Sequence, residues 1–219
     1  MDLKGDVFMQ TALCAFSGYI IGCINPAYII SKIKGFDIRE RGSGNAGASN
    51  AMMTMGKKAG AAIAVLDILK AVFAVLIAVK LFPQVRLAKI IAGCCCILGH
   101  IFPVFMKFHG GKGLACLAGF ILGYDSRLFL ILLICEVIFA LVFDYICVIP
   151  LSGSVVFTLI YAFTTGDPVG TVILSAVSIV ILCKHIENLK RIHNGTEAHI
   201  SFMWKKDQEI ERIKNNANT

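Results

Sequence analysis

Of the chain's 219 residues, 57% are hydrophobic and only 16% are charged, and the mean hydropathy is +0.77. Soluble domains carry about 25% charged residues, so this composition excludes an ordinary soluble protein and points to one that lives in a membrane. The formal net charge of +7 informs through its placement along the chain rather than its sum. Apolar runs suited to crossing a bilayer, which takes roughly 20 residues, occur at Phe8 to Ile33, Ala59 to Phe82, Leu87 to Phe105, Leu128 to Phe143, Ile146 to Phe163 and Val169 to Cys183. Leu114 to Tyr124 is about half that length and reads as a half-span, a tilted helix or a re-entrant piece. Counted as a short helix, it gives an all-α polytopic bundle of about seven transmembrane helices, forming one domain over residues 1–219. The first run could be read as a signal peptide, but it is long, Asp2 and Asp6 precede it and no small-residue cleavage pattern follows, so it is expected to be a span.

Lysine and arginine set the orientation. Lys32, Lys34, Arg39, Arg41, Lys57 and Lys58 lie between the first two spans, and Lys184, Lys190, Arg191, Lys205, Lys206, Arg212 and Lys214 follow the last. Both segments are therefore expected on the cytoplasmic side. Seven crossings then place the N-terminus outside and the C-terminus in the cytoplasm, with the loop around Gly110 to Gly113 also inside. The loops near Pro83, Tyr124 to Arg127 and Thr165 to Pro168 are weakly basic and face out. The nine cysteines show neither disulfide-framework nor zinc-ligand spacing and read as buried thiols. No metal site is expected.

Polar residues concentrate in three of the inward-facing segments. The first, DIRERGSGNAGASN from Asp37 to Asn50, matches G-x-G-x-x-G at Gly42 to Gly47. A dinucleotide fingerprint needs a preceding strand within a βαβ unit, and here a membrane helix precedes it. Two readings stay open: a flexible turn, or an anion nest in which small residues such as Gly44 admit a ligand and Ser43, Asn45, Ser49 and Asn50 offer hydrogen bonds.

The second, GHIFPVFMKFHGGKGLA from Gly99 to Ala115, is not a Walker loop, because Lys112 is followed by Gly113 rather than by serine or threonine. Its Gly110, Gly111, Lys112 and Gly113 precede the short helix, so backbone amides, a positive helix end and an ammonium are expected to meet there as a phosphate site. A lysine that merely snorkels to the interface needs no flanking glycines. His100 and His109 are nine apart and carry no metal spacing; loop hydrogen bonding accounts for either. In the third segment, HIENLKRIHNGTEAHI from His185 to Ile200, a helix continuing from the last span puts His185 and Asn188 on one face, with Lys190, Arg191 and Glu197 beside them.

Together, GSGNAGASN, GHIFPVFMKFHGGKG and HIENLKRIHNGTE closely resemble the three cytoplasmic motifs of the bacterial integral-membrane glycerol-3-phosphate acyltransferases that use acyl phosphate as donor. The resemblance extends to NPAYIISKIKGFDIR and GKKAGAAIAVLDILKAV. It implies transfer of a fatty acyl group to the 1-hydroxyl of glycerol 3-phosphate, yielding lysophosphatidic acid and phosphate. It further implies catalytic roles for Lys112, His185, Asn188 and Glu197. Substrate binding would fall to Ser43, Gly44, Asn45, Ser49, Asn50, His100, Gly110, Gly111, Gly113 and Arg191.

Acyl phosphate and glycerol 3-phosphate are then the partners, together with membrane lipid; no cofactor and no nucleic acid is implied. The chemistry is consistent, because a mixed anhydride already carries a good leaving group and needs positioning more than a covalent nucleophile. No nucleophile elbow is present, and no histidine has an aspartate five residues later. Three positions depart from the family pattern. Met53 stands where an arginine is usual, and Asp144 and Cys147 replace the arginine and serine of a short element between two spans. These departures leave open a non-catalytic or altered-acceptor paralogue as the alternative; a small anion transporter is the competing class, but no two halves of the sequence match.

Overall fold

The structure, a computed structural model, describes residues 3–203 and 205–217. Among these residues every regular element is helical: α1 (Leu3–Cys23), α2 (Pro26–Ile33), α3 (Ala48–Met55), α4 (Lys57–Leu81), α5 (Ala88–Ile101), α6 (Leu114–Tyr124), α7 (Ser126–Phe143), α8 (Val148–Thr165), α9 (Pro168–Lys184), α10 (Ile186–His193) and α11 (Lys206–Ala217). Helices dominate because lipid offers no partner for peptide groups, so each segment must satisfy its own. Among the described residues five stretches are long and apolar enough to cross a membrane, or six when α9 and α10 are taken as one span bent by 43°. α6 is too short by that measure.

The first apolar run is divided at Ile24 and Asn25. Pro26 has no N–H and disfavours the helical conformation in the residue before it. Asn25 then caps α2, its Oδ1 accepting from the Tyr28 N–H at 2.8 Å. The last run is divided too, at His185, so α10 does not continue α9 as the sequence pattern suggested.

Close packing fixes the directions of the central helices. A Cβ on Gly22 would collide with the Cys96 carbonyl, and one on Gly18 with that of Ala92, so α1 and α5 run parallel. Gly119 lies equally close to the Ile68 carbonyl, while Gly123 meets Val72 and Val75, so α6 runs parallel to α4. Small residues at such crossings let backbones approach where no hydrophobic effect drives helices together. Gly22→Val should therefore destabilise the bundle by about 1–3 kcal/mol. The check is the unfolding midpoint in detergent, and an unchanged value would mean that this crossing has slack.

At about 1.5 Å per residue, α6 is only about 16 Å long. It survives because it is surrounded by protein: Phe120 is fully buried and meets the Phe157 ring edge-on at 5.4 Å. Lipid faces the outer helices instead. α7 buries only Leu132, Glu136 and Ala140, spaced one turn apart, and exposes Ile131, Ile134, Ile138 and Leu141. Glu136 turns inward, as an ionisable group within a membrane segment must, and accepts from the Ser152 hydroxyl at 2.5 Å.

A second inward polar group ties the central helices together. Lys70 of α4 lies 2.7 Å from Asp67 Oδ1 and 3.0 Å from His100 Nδ1, and donates to the carbonyls of Gly22 and Ile24 at 3.1 and 2.6 Å. Asp67, Lys70 and His100 are 1%, 8% and 3% exposed. Here an ammonium closes the end of α1, whose last carbonyls have no helical partner, and this cluster lies directly beneath the second polar loop.

Candidate active site

Three loops meet at the end of the bundle where α1, α5 and α9 finish and α4 and α6 begin. The first runs from Phe36 to Gly47 and is organised by Asn50. Fully buried, Asn50 accepts from the Ser43 N–H at 2.9 Å and places its amide nitrogen 2.9–3.0 Å from the carbonyls of Ile38, Arg41 and Asn45. Its polar atoms thus shape the loop from inside, a different place from the ligand-facing one expected of it. Ser43, Gly44 and Ser49 stay exposed and Asn45 is half-buried. Arg39 bridges to the second loop by donating to the Met106 carbonyl at 2.9 Å, and it holds the Asp37 carboxyl well below the usual carboxylate range.

The second loop folds back over the end of α5. Gly110 and Gly111 donate their amides to the carbonyls of Ile101 and His100, each at 3.1 Å. These two amides, expected to be open to phosphate, instead cap a helix. A Cβ on Gly111 would strike the His100 imidazole, so the glycine there answers to His100, which is buried with Nδ1 toward Lys70. His100 therefore sits under the loop as its floor. Gly113, at φ +92°, occupies the left-handed region that a side chain disfavours and begins α6. Lys112 is thus held between a close approach and a left-handed turn, beside the first-turn amides of α6, which lack helical partners.

Lys112 then meets the third loop. Its ammonium donates to Asn188 Oδ1 of α10; Asn188 Nδ2 donates to Glu197 Oε1 at 2.6 Å, and Arg191 Nε to Glu197 Oε2 at 2.6 Å. Burial, followed by the nearby Arg191 guanidinium, lowers the Lys112 pKa from the ordinary lysine value. His185, at the break between α9 and α10, is 3% exposed and donates Nδ1–H to the Ile181 carbonyl at 2.8 Å. That bond fixes the ring and leaves Nε2 as its other nitrogen.

The structure thus links Lys112, Asn188, Glu197 and Arg191 directly and sets Gly110, Gly111 and Gly113 beside them. Ser43, Gly44, Asn45 and Ser49 lie on the neighbouring loop, which is joined through Arg39 and Met106. Cys147, at the start of α8, is buried within electrostatic range of Glu197, Lys112 and Arg191, and burial pushes its thiol up to about 11. It is a neutral neighbour of the site and not a thiolate nucleophile. Asp144 turns elsewhere, with Oδ2 3.7 Å from His199 Nδ1. Sequence reasoning missed Arg212 of α11, which donates to the carbonyls of Gly195 and Glu197 at 2.5 and 2.6 Å; the only signal was another basic residue in a basic tail.

The fold and this end of it define a polytopic membrane protein with a cationic, glycine-lined site. The family model described as glycerol-3-phosphate acyltransferase matches residues 12–195, and the chain belongs to that family. A Bacillus subtilis (strain 168) glycerol-3-phosphate acyltransferase is 36% identical over 89% of this chain and 100% of its own length. One from Thermoanaerobacter sp. (strain X514) is 39% identical over 88% of this chain and 96% of its own. Among solved structures, the glycerol 3-phosphate form of PlsY, an integral membrane glycerol 3-phosphate acyltransferase, superposes with a TM-score of 0.79 at 30% identity, covering 88% of this chain and 96% of that one. Its lysophosphatidic acid form gives 0.75.

Proposed function

We propose that this chain transfers a fatty acyl group from acyl phosphate to the 1-hydroxyl of glycerol 3-phosphate, at a site on the cytoplasmic face. The observation that carries the reading is the contact chain from Lys112 through Asn188 and Glu197 to Arg191, built at the start of α6 in a member of this family. Similarity to PlsY structures in glycerol 3-phosphate and lysophosphatidic acid forms supports the acceptor and the product. Seven crossings with the N-terminus outside follow when α6 is counted, since it runs parallel to α4 with α5 returning between them. The two basic segments then lie in the cytoplasm.

The hydroxyl oxygen attacks the acyl carbonyl and forms the ester. The carbonyl–phosphate oxygen bond breaks, phosphate leaves with the electron pair, and the hydroxyl proton ends on the released phosphate. Lys112 and the first-turn amides of α6 stabilise the charge on the leaving group. Ser43, Gly44, Asn45 and Ser49 flank the same anion site, with Asn50 and His100 shaping its walls. His185, Asn188 and Glu197 orient the acceptor, and Arg191 holds the Glu197 carboxylate turned toward Asn188.

Purified protein supplied with acyl phosphate and glycerol 3-phosphate should release phosphate and lysophosphatidic acid in equal amounts. Turnover with acyl-CoA alone would overturn the donor. Met53, on α3, offers a sharper test of the acceptor. Met53→Arg restores a cation that the family usually has there, and one charge-assisted contact of about 1.5–3 kcal/mol lowers the Michaelis constant for glycerol 3-phosphate by about one to two orders of magnitude. Asp144 faces His199, so Asp144→Arg should add nothing to that gain. A variant no better than the parent, with another polyol phosphate acylated by both, would point to a rebuilt acceptor pocket.

A further inference from the structure

The family model stops at residue 195, and the Bacillus subtilis relative, matched along its whole length, leaves about a tenth of this chain over. The part beyond includes α11, and α11 is fastened to the site. Arg212 donates Nη1 to the Gly195 carbonyl at 2.5 Å and Nη2 to the Glu197 carbonyl at 2.6 Å. Asn216, one turn on, donates to the same Gly195 carbonyl at 2.8 Å. Glu209, 5% exposed, accepts from the His199 N–H at 2.8 Å and from Arg212 at 2.6 Å. The backbone from Gly195 to His199 is therefore held at three points by one helix.

The segment that this helix holds continues to the corner between α7 and α8. His199 Nε2 lies 3.1 Å from the Tyr145 hydroxyl, and the Ile200 N–H donates to the Asp144 carbonyl at 3.0 Å. At this corner the chain departs from its family by carrying Asp144, and the tail supplies that acid with a partner in His199.

Glu197 lies beyond α10, which ends at His193, and is tied back to it by its own N–H to the Arg191 carbonyl at 3.0 Å and by Arg191 Nε on its carboxylate, while its carbonyl is held by α11. Its carboxylate accepts from Asn188 Nδ2 at 2.6 Å and so sets the amide that orients the acceptor. We propose that Arg212 is a positioning residue of the acceptor site, fixing Glu197 and through it Asn188, so that α11 is a working part of this enzyme. The inference rests on the acyltransfer reading above. It assigns Arg212 no contact with substrate.

The test uses the full chain in detergent, with Arg212→Ala and Arg212→Lys. Arg212→Ala should raise the Michaelis constant for glycerol 3-phosphate about ten-fold, the size expected for losing a charge-assisted contact, and leave that for acyl phosphate unchanged. Arg212→Lys should recover only part of the loss, because one ammonium lacks the fork that serves two carbonyls. Amide hydrogen exchange should quicken at residues 195–199 in Arg212→Ala and stay as in the parent across α6. An inactive parent sinks the acyltransfer reading and this inference with it. An active parent whose Arg212→Ala form keeps its acceptor constant and its exchange at 195–199 sinks this inference alone, as does an equal loss for both substrates with a lowered unfolding midpoint. Should Arg212→Ala fail to fold, the same two measurements on Arg212→Lys decide.

Discussion

Lys112→Ala removes nearly all acyl transfer while the unfolding midpoint in detergent stays close to that of the parent. The ammonium is in a loop, half-buried, and its contact is Asn188 at the open end of the bundle rather than the apolar core. Removing it takes the positive charge from the place where phosphate develops as a leaving group, and deleting one such electrostatic donor typically costs about a hundred- to a thousand-fold in turnover. The cationic form is the working one, and burial beside Arg191 lowers its pKa. Activity should therefore fall as pH rises through a value below the ordinary lysine range, and a Lys112→Arg variant should move that alkaline limb upward if it retains turnover. Wild-type turnover in Lys112→Ala would falsify the role assigned to this residue.

Asp67→Ala acts on the fold instead, and lowers stability by about 3–5 kcal/mol, the usual cost of leaving one partner of a buried ion pair behind. Lys70 would keep its ammonium in the interior with only carbonyls and an imidazole around it. The expected observation is loss of monodisperse protein on mild heating. Activity should be lost as well, because His100 forms the floor under Gly111 and would lose its fixed neighbours. The double variant Asp67→Leu, Lys70→Met should recover much of the stability, since a well-packed apolar pair replaces a buried ionic one at little net cost. A double variant no more stable than Asp67→Ala would show that the ammonium is needed in itself, as the group that closes the end of α1.

Composition and the spacing of apolar runs determined by themselves that this chain is a membrane helix bundle, because the bilayer demands long apolar segments with self-satisfied backbone. The three loop motifs were also legible, since glycine, lysine and asparagine stand out against so apolar a background. What they do individually was less legible. The sequence shows Gly110 and Gly111 as potential anion-binding amides, but only the return of the loop over α5 commits both amides to the carbonyls of Ile101 and His100. Asn50 looks like a ligand and instead occupies the inside of its loop, because the loop curls so that four of its backbone groups, from Ile38, Arg41, Ser43 and Asn45, converge on it. The break at His185 escaped a helical-face argument because nothing in the local pattern interrupts the helix; His185 is not a proline or a glycine. Arg212 escaped for the same reason in another form. Its partners, the carbonyls of Gly195 and Glu197, are backbone groups that every residue has, and only folding α11 against that loop selects them.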